Sequence, residues 1–191
     1  MELIKKKVSS LKELKEFLSD DFSIFGNKNN LTSFDNETEI LIVGTYIPHN
    51  LDYFYFGNSR MYGSLIDFAR KTHFEEMQQE IIKADCKEQL IDKFVKELKK
   101  EKIAFLDLFE YTLINPNEVS DNRIKAFTLD LKYFENITNS KKLKIIIPIS
   151  KAASDILKTI IGDDSRIKYH QLINGGTNKE WIEIFSGNYE K

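Results

Sequence analysis

The sequence predicts an α/β protein built on a four-stranded parallel sheet with helices over both faces. Three observations predict it. Short runs of β-branched and aliphatic residues without polar alternation recur along the chain, segments with helical spacing stand between them, and the first run ends at a glycine. Uninterrupted apolar runs suit strands buried on both faces. Alternation with helices calls for right-handed crossovers and places ligands beyond the carboxyl ends of the strands.

Ser10-Leu11-Lys12-Glu13 is a capping-box pattern, and Leu11, Leu14, Phe17 and Leu18 share one helical face, so a first helix is expected from about Leu11 to Ser19. Asp20 to Asn36 mixes Asp, Asn, Gly and Ser with isolated aromatics and reads as a connection. The first strand is Glu39 to Gly44. Two further runs, Lys102 to Asp107 and Leu143 to Pro148, repeat the pattern, and a weaker fourth spans Arg166 to Leu172. Helical spacing covers Ser64 to Lys71, Glu75 to Lys83, Lys87 to Lys100, Arg123 to Phe134 and Ala152 to Ile161. Thr177-Asn178-Lys179-Glu180 caps a last helix running through Trp181 and Phe185. The Lys-rich stretch Lys93 to Lys102 alternates with Glu and apolar residues, as a solvated helix face does.

With 191 residues, 41% hydrophobic and 30% charged, the chain can bury a core without disulfides or a structural metal. One domain over residues 1–191 is expected, with 1–37 as an N-terminal helix and connection packed upon it. No apolar run reaches the roughly 18 to 20 residues a membrane span needs, and Met1 to Lys7 leads into an amphipathic pattern instead of a signal core. Cys86 is the one cysteine, which rules out an internal disulfide and multi-cysteine zinc or iron–sulfur sites. The expectation is a cytoplasmic monomer with no metal and no cofactor. A net charge of −2 excludes a polycation that holds any nucleic acid by counterion release alone, while a local basic face survives such a total.

The loop after the first strand, Gly44 to Tyr62, is the candidate site. Tyr46, Tyr53, Phe54, Tyr55, Phe56 and Tyr62 lie there among His49, Asn50, Asp52, Asn58 and Arg60. Planar rings that stack on a base, beside polar groups that read its edge, have this composition, and so does an aromatic mini-core under a long loop. Asp107 at the end of its strand reads either as an acid supporting the site or as a cap for the next loop. Asn174-Gly175-Gly176 before Thr177 offers backbone N–H groups suited to a phosphate, or forms a plain Gly-rich turn.

A buried strand ending Gly44-Thr45-Tyr46-Ile47-Pro48, followed by Tyr55-Phe56-Gly57-Asn58-Ser59-Arg60, resembles the first motif of the uracil-DNA glycosylase superfamily, nearest to its mismatch-type and hypoxanthine-type members. Ile103 to Glu110 with the later Ser120-Asp121, and Lys144 to Leu157 with small Ala152 and Ala153, are similar to later family segments. The resemblance covers about residues 38 to 185.

It implies a three-layer α/β/α sandwich around a four-stranded parallel sheet. It also implies a flipped nucleotide in a pocket, a ring stacked on the base, and a polar residue placing water at the sugar carbon, with no metal or cofactor. On that likeness Asn58 or Asp52 orients water and Tyr46 or Phe56 stacks. Gly44, Thr45, Gly57, Arg60 and Asp107 complete the pocket, and His170 with Asn174 contacts the base or the DNA backbone. The chain departs from the family at Tyr46 and Ile47, where Asn or Asp is usual, at Met61, and at His170 to Thr177, which contains no proline.

The expected function is therefore a DNA glycosylase-like hydrolase for a deaminated or modified base, with DNA as partner. The alternatives are a catalytically inactive member of the fold that binds nucleic acid or a protein, and a nucleoside or nucleotide enzyme.

Overall fold

The computed structural model describes residues 7–19, 22–26, 34–45, 60–85, 88–115, 124–129, 131–169 and 179–187. In chain order these form α1 (Leu11–Lys15), β1 (Ser23–Gly26), β2 (Ile40–Gly44), α2 (Arg60–Arg70), α3 (Phe74–Lys83) and α4 (Glu88–Lys100). There follow β3 (Ile103–Asp107), β4 (Phe109–Ile114), β5 (Ile124–Leu129), α5 (Lys132–Asn139), β6 (Ile145–Pro148), α6 (Lys151–Ile161) and α7 (Lys179–Ser186).

The three apolar runs make one parallel sheet in the order β3-β2-β6, every residue of which is buried. Ile42 sits opposite Phe105 on one side and Ile147 on the other. Because side chains alternate across a strand, the sheet feeds two cores. Ile40, Ile42, Ile103, Phe105, Ile145 and Ile147 face Leu65 and Ile66 of α2, Phe74 and Ile81 of α3, Phe94 and Leu98 of α4, and Trp181, Ile184 and Phe185 of α7. Leu41, Val43, Ala104, Leu106 and Ile146 face Phe134 and Ile137 of α5, Ala153 and Leu157 of α6, and the second sheet. Each fully buried aliphatic of this size contributes about 1.5–3 kcal/mol.

Glu39 ties the amino ends of the three strands together. Its N–H donates to the Lys102 carbonyl at 2.9 Å, and its own carbonyl accepts from the Lys144 N–H at 2.9 Å. Its carboxylate accepts from the ammonium groups of Lys102 and Lys144. Those two hydrogen bonds, Lys102 first, hold the Glu39 carboxyl below the usual carboxylate value.

The second sheet is antiparallel, in the order β1-β4-β5. Only Leu108 separates parallel β3 from antiparallel β4, so the chain passes from one sheet to the other almost without a turn. The β4–β5 pairing carries two register shifts, between Phe109 and Tyr111 and between Leu113 and Ile114, and Phe109 stacks on Phe127 with ring centroids 4.2 Å apart. Leu14 of α1 and Val8 pack under this sheet against Leu113 and Ala126. The Ser10 hydroxyl accepts from the Glu13 N–H at 3.2 Å, while the Glu13 carboxylate reaches back to the Ser9 N–H at 2.8 Å, one residue earlier than in a standard capping box.

Two contacts fix α2 against its neighbour. Gly63 faces Gln78 of α3 so closely that a Cβ there would lie 2.1 Å from Gln78 Oε1. Asp67 of α2, not His73, caps α3: its carboxylate accepts from the Phe74 N–H, from the Glu75 N–H at 2.7 Å and from the Thr72 hydroxyl at 2.9 Å. A carboxylate there satisfies donors that the first turn of a helix leaves open and complements its dipole.

Several expectations are corrected. Among the described residues the parallel sheet shows three of the four expected strands. From the expected fourth strand, Arg166 to Leu172, Ile167 makes a single parallel bridge to Ile146, with the Ile146 N–H on the Arg166 carbonyl and the Lys168 N–H on the Ile146 carbonyl. The helix expected over Arg123 to Phe134 is instead β5 followed by α5, because Ile124 to Leu129 pairs with β4. The connection expected over Asp20 to Asn36 contains β1, and the first helix ends at Lys15. Among the described residues no helix is long and apolar enough to cross a membrane.

Candidate functional site

The carboxyl ends of β2, β3 and β6 come together at one edge of the parallel sheet, and ligands of open α/β sheets bind beyond such an edge. Gly44 is the register partner of Asp107. Beyond them the ladder continues: the Leu108 N–H donates to the Gly44 carbonyl at 3.0 Å and the Phe109 N–H to the Thr45 carbonyl at 2.9 Å. On the other side the Ile149 N–H donates to the Val43 carbonyl at 2.9 Å. The peptide carbonyls of Val43, Gly44 and Thr45 are thus engaged, and Thr45 and Asp107 stand at the ends of their strands beside them. Both residues are buried, at 8% and 5% exposure.

Ser150 closes the third side and is absent from the sequence-derived candidates. As N-cap of α6 its hydroxyl accepts from the Ala153 N–H at 3.1 Å, and it directs the start of that helix to the same end of the sheet. The available signal was a serine two residues after a strand-terminal proline and just before Ala152 and Ala153, the capping arrangement that opens a helix.

The structure therefore brings together Gly44, Thr45 and Asp107, and Arg60 is the first residue of α2. Asp52, Asn58, Tyr46, Phe56, Gly57, His170 and Asn174 lie outside the described residues, as do Cys86 and the Thr177 cap. Among the described residues there is no group of three or more His, Cys, Asp or Glu side chains that could hold a metal ion. His73 is exposed and pairs with Glu76 at 3.3 Å, a surface contact.

Fold and site together define an α/β protein with a short parallel sheet, helices packed against it and a floor of Gly44, Thr45 and Asp107 at its carboxyl edge. The sequence matches no protein-family profile and no curated protein. One solved structure shares the fold: the solution NMR structure of a protein from Methanosarcina acetivorans, provisionally described as a uracil DNA glycosylase. It has a TM-score of 0.59 and 18% identity over 86% of this chain and 98% of that one. At that identity the likeness is one of fold.

Proposed function

We propose that this chain is a DNA glycosylase of the uracil-DNA glycosylase superfamily, of the mismatch or hypoxanthine type, acting on a deaminated or modified base. The observation that carries this reading is the shared fold across 86% of the chain. It is joined to the sequence segment Tyr55 to Arg60, whose last residue opens α2. In this reading the whole chain is one domain, a three-layer sandwich whose pocket stands on Gly44, Thr45 and Asp107.

The reaction adds water to the sugar carbon C1′ and breaks its bond to the base nitrogen, and the base leaves carrying a proton. The target nucleotide rotates out of the stack to reach the pocket. Tyr46 or Phe56 stacks on it, while Asn58 or Asp52 holds the water by hydrogen bonding along its line of attack. His170 and Asn174 contact the leaving base or the phosphate backbone. Asp107, buried at 5% exposure on the sheet's rigid edge, supports the loop that carries these groups.

A second reading, a member of the fold that binds DNA or a protein without turnover, is favoured by Tyr46 and Ile47 where relatives usually carry Asn or Asp. The test is release of free base from short single- and double-stranded oligonucleotides carrying uracil, hypoxanthine, xanthine or a bulky modified cytosine. Wild type is compared with Asn58→Ala and Asp52→Ala. Release that one of these variants abolishes supports the glycosylase and names the water-positioning residue. Oligonucleotide binding without release by folded protein supports the silent reading, and reaction of free nucleosides alone refutes both.

A further inference from the structure

At the amino ends of the parallel strands, opposite the candidate site, lies a cavity of about 370 Å³. Arg70, Lys144, Arg166 and Lys168 line it against one carboxylate, Glu39. Arg166 is already neutralised by Asp164, whose carboxylate accepts from its Nε at 3.0 Å and from Nη2 at 2.6 Å, and Glu39 is shared between Lys144 and Lys102, which stands outside the lining.

Arg70 differs from these. Its Nε is buried and has no hydrogen-bond partner among the described residues. Its guanidinium lies beside Gly187, where a Cβ would come within 3.9 Å of Nη1 and 4.0 Å of Nη2. A guanidinium donor withdrawn from water and given no acceptor is unfavourable, and an entering anion removes that penalty. Arg70 supplies the planar fork that fits two oxygens of one anion, and Lys144, which shares Glu39 with Lys102, adds a second cation to the same lining. Ile145 and Ile184 add an apolar surface to the same lining. The volume lies within the range of small-ligand pockets, about 300–1,000 Å³.

We propose that this cavity is a binding site for a small phosphate monoester, with the phosphate on Arg70 and Lys144 and the organic group against Ile145 and Ile184. The site is independent of the glycosylase reading and stands at the other end of the sheet.

The test is calorimetric titration with phenyl phosphate, inorganic phosphate and phenol. Phenyl phosphate is expected to bind more tightly than inorganic phosphate, with phenol not binding. Arg70→Gln is expected to weaken phenyl phosphate by about tenfold or more, the scale of a lost charge-assisted pair. Lys144→Gln, in the same lining, weakens it severalfold and serves as the test if Arg70→Gln fails to fold. No saturable binding of phenyl phosphate at millimolar concentration overturns the proposal. So does unchanged affinity in folded Arg70→Gln, and so does a 5′-phosphorylated oligonucleotide that outcompetes phenyl phosphate.

Discussion

Gly63→Ala sets two effects of opposite sign against each other. Alanine in a helix interior is favoured over glycine by about 1 kcal/mol, so on propensity alone the substitution would stabilise α2. The added Cβ, however, would sit 2.1 Å from Oε1, 2.8 Å from Cδ and 3.4 Å from Nε2 of Gln78. Gln78 is only 3% exposed, so its amide cannot swing freely into water. Overpacking of that kind costs about 1–3 kcal/mol, and with contacts this short we take the upper half of that range. The expected net loss is about 1–2 kcal/mol, a fall in Tm of about 2–8 °C for a chain of this size.

The decisive comparison is the same substitution in a Gln78→Ala background. The obstruction is then gone, and Gly63→Ala should stabilise by up to about 1 kcal/mol, a reversal of sign equal to a coupling of about 2–3 kcal/mol. Urea unfolding followed through Trp181, the one tryptophan in the chain, measures all four proteins. Stabilisation in the wild-type background, or the same effect in both backgrounds, would refute the close approach of α2 to α3.

Three further predictions follow from the same structure. Ser150→Ala removes the acceptor of the Ala153 N–H and should cost about 1 kcal/mol of stability, recovered in Ser150→Asp and read by the same urea titration. Lys71, just past the end of α2, has φ 54°, a left-handed conformation that costs a side chain about 1–2 kcal/mol; Lys71→Gly should raise the Tm, and a fall would count against that backbone. Glu39, its carboxyl lowered by Lys102 and Lys144, stabilises the fold fully above the ordinary carboxylate value. That contribution disappears as the pH falls through the lower folded value. Glu39→Gln should therefore be less stable than wild type at neutral pH and converge with it in acid, and a gap of constant size across that range would disprove the charge-based account.

The parallel sheet was legible because its signal is local. Ile40 to Val43, Ile103 to Leu106 and Ile145 to Ile147 are buried on both faces, so each run is apolar without alternation whatever it pairs with. The helices α3, α4 and α6 were legible for the matching reason, one apolar stripe at helical spacing. The antiparallel sheet was not. Ile124, Phe127 and Phe134 fit a helical stripe, and only pairing with β4, interrupted by register shifts at Phe109/Tyr111 and Leu113/Ile114, makes Ile124 to Leu129 a strand. Those irregularities also erase the alternation that would have announced it. β4 was hidden by its abutment on β3 through Leu108, and β1 by having four residues. The weak run from Arg166 bridges to Ile146 at Ile167 and is described only as far as Tyr169; it was weak in sequence because Arg166, Lys168 and His170 interrupt its apolar residues. Of the candidate site, Gly44, Thr45 and Asp107 were readable as strand ends. Ser150 was missed because a capping serine looks the same in sequence whether its helix borders a site or not.

The passage from β3 into β4 through Leu108 has a kinetic meaning. Two amides, of Leu108 and Phe109, are bonded to Gly44 and Thr45, and the residues that carry them are 1% and 0% exposed. Such amides exchange with deuterium only through large-scale opening. The carboxyl edge of the sheet is therefore an anvil, a surface that yields only when the molecule itself comes apart.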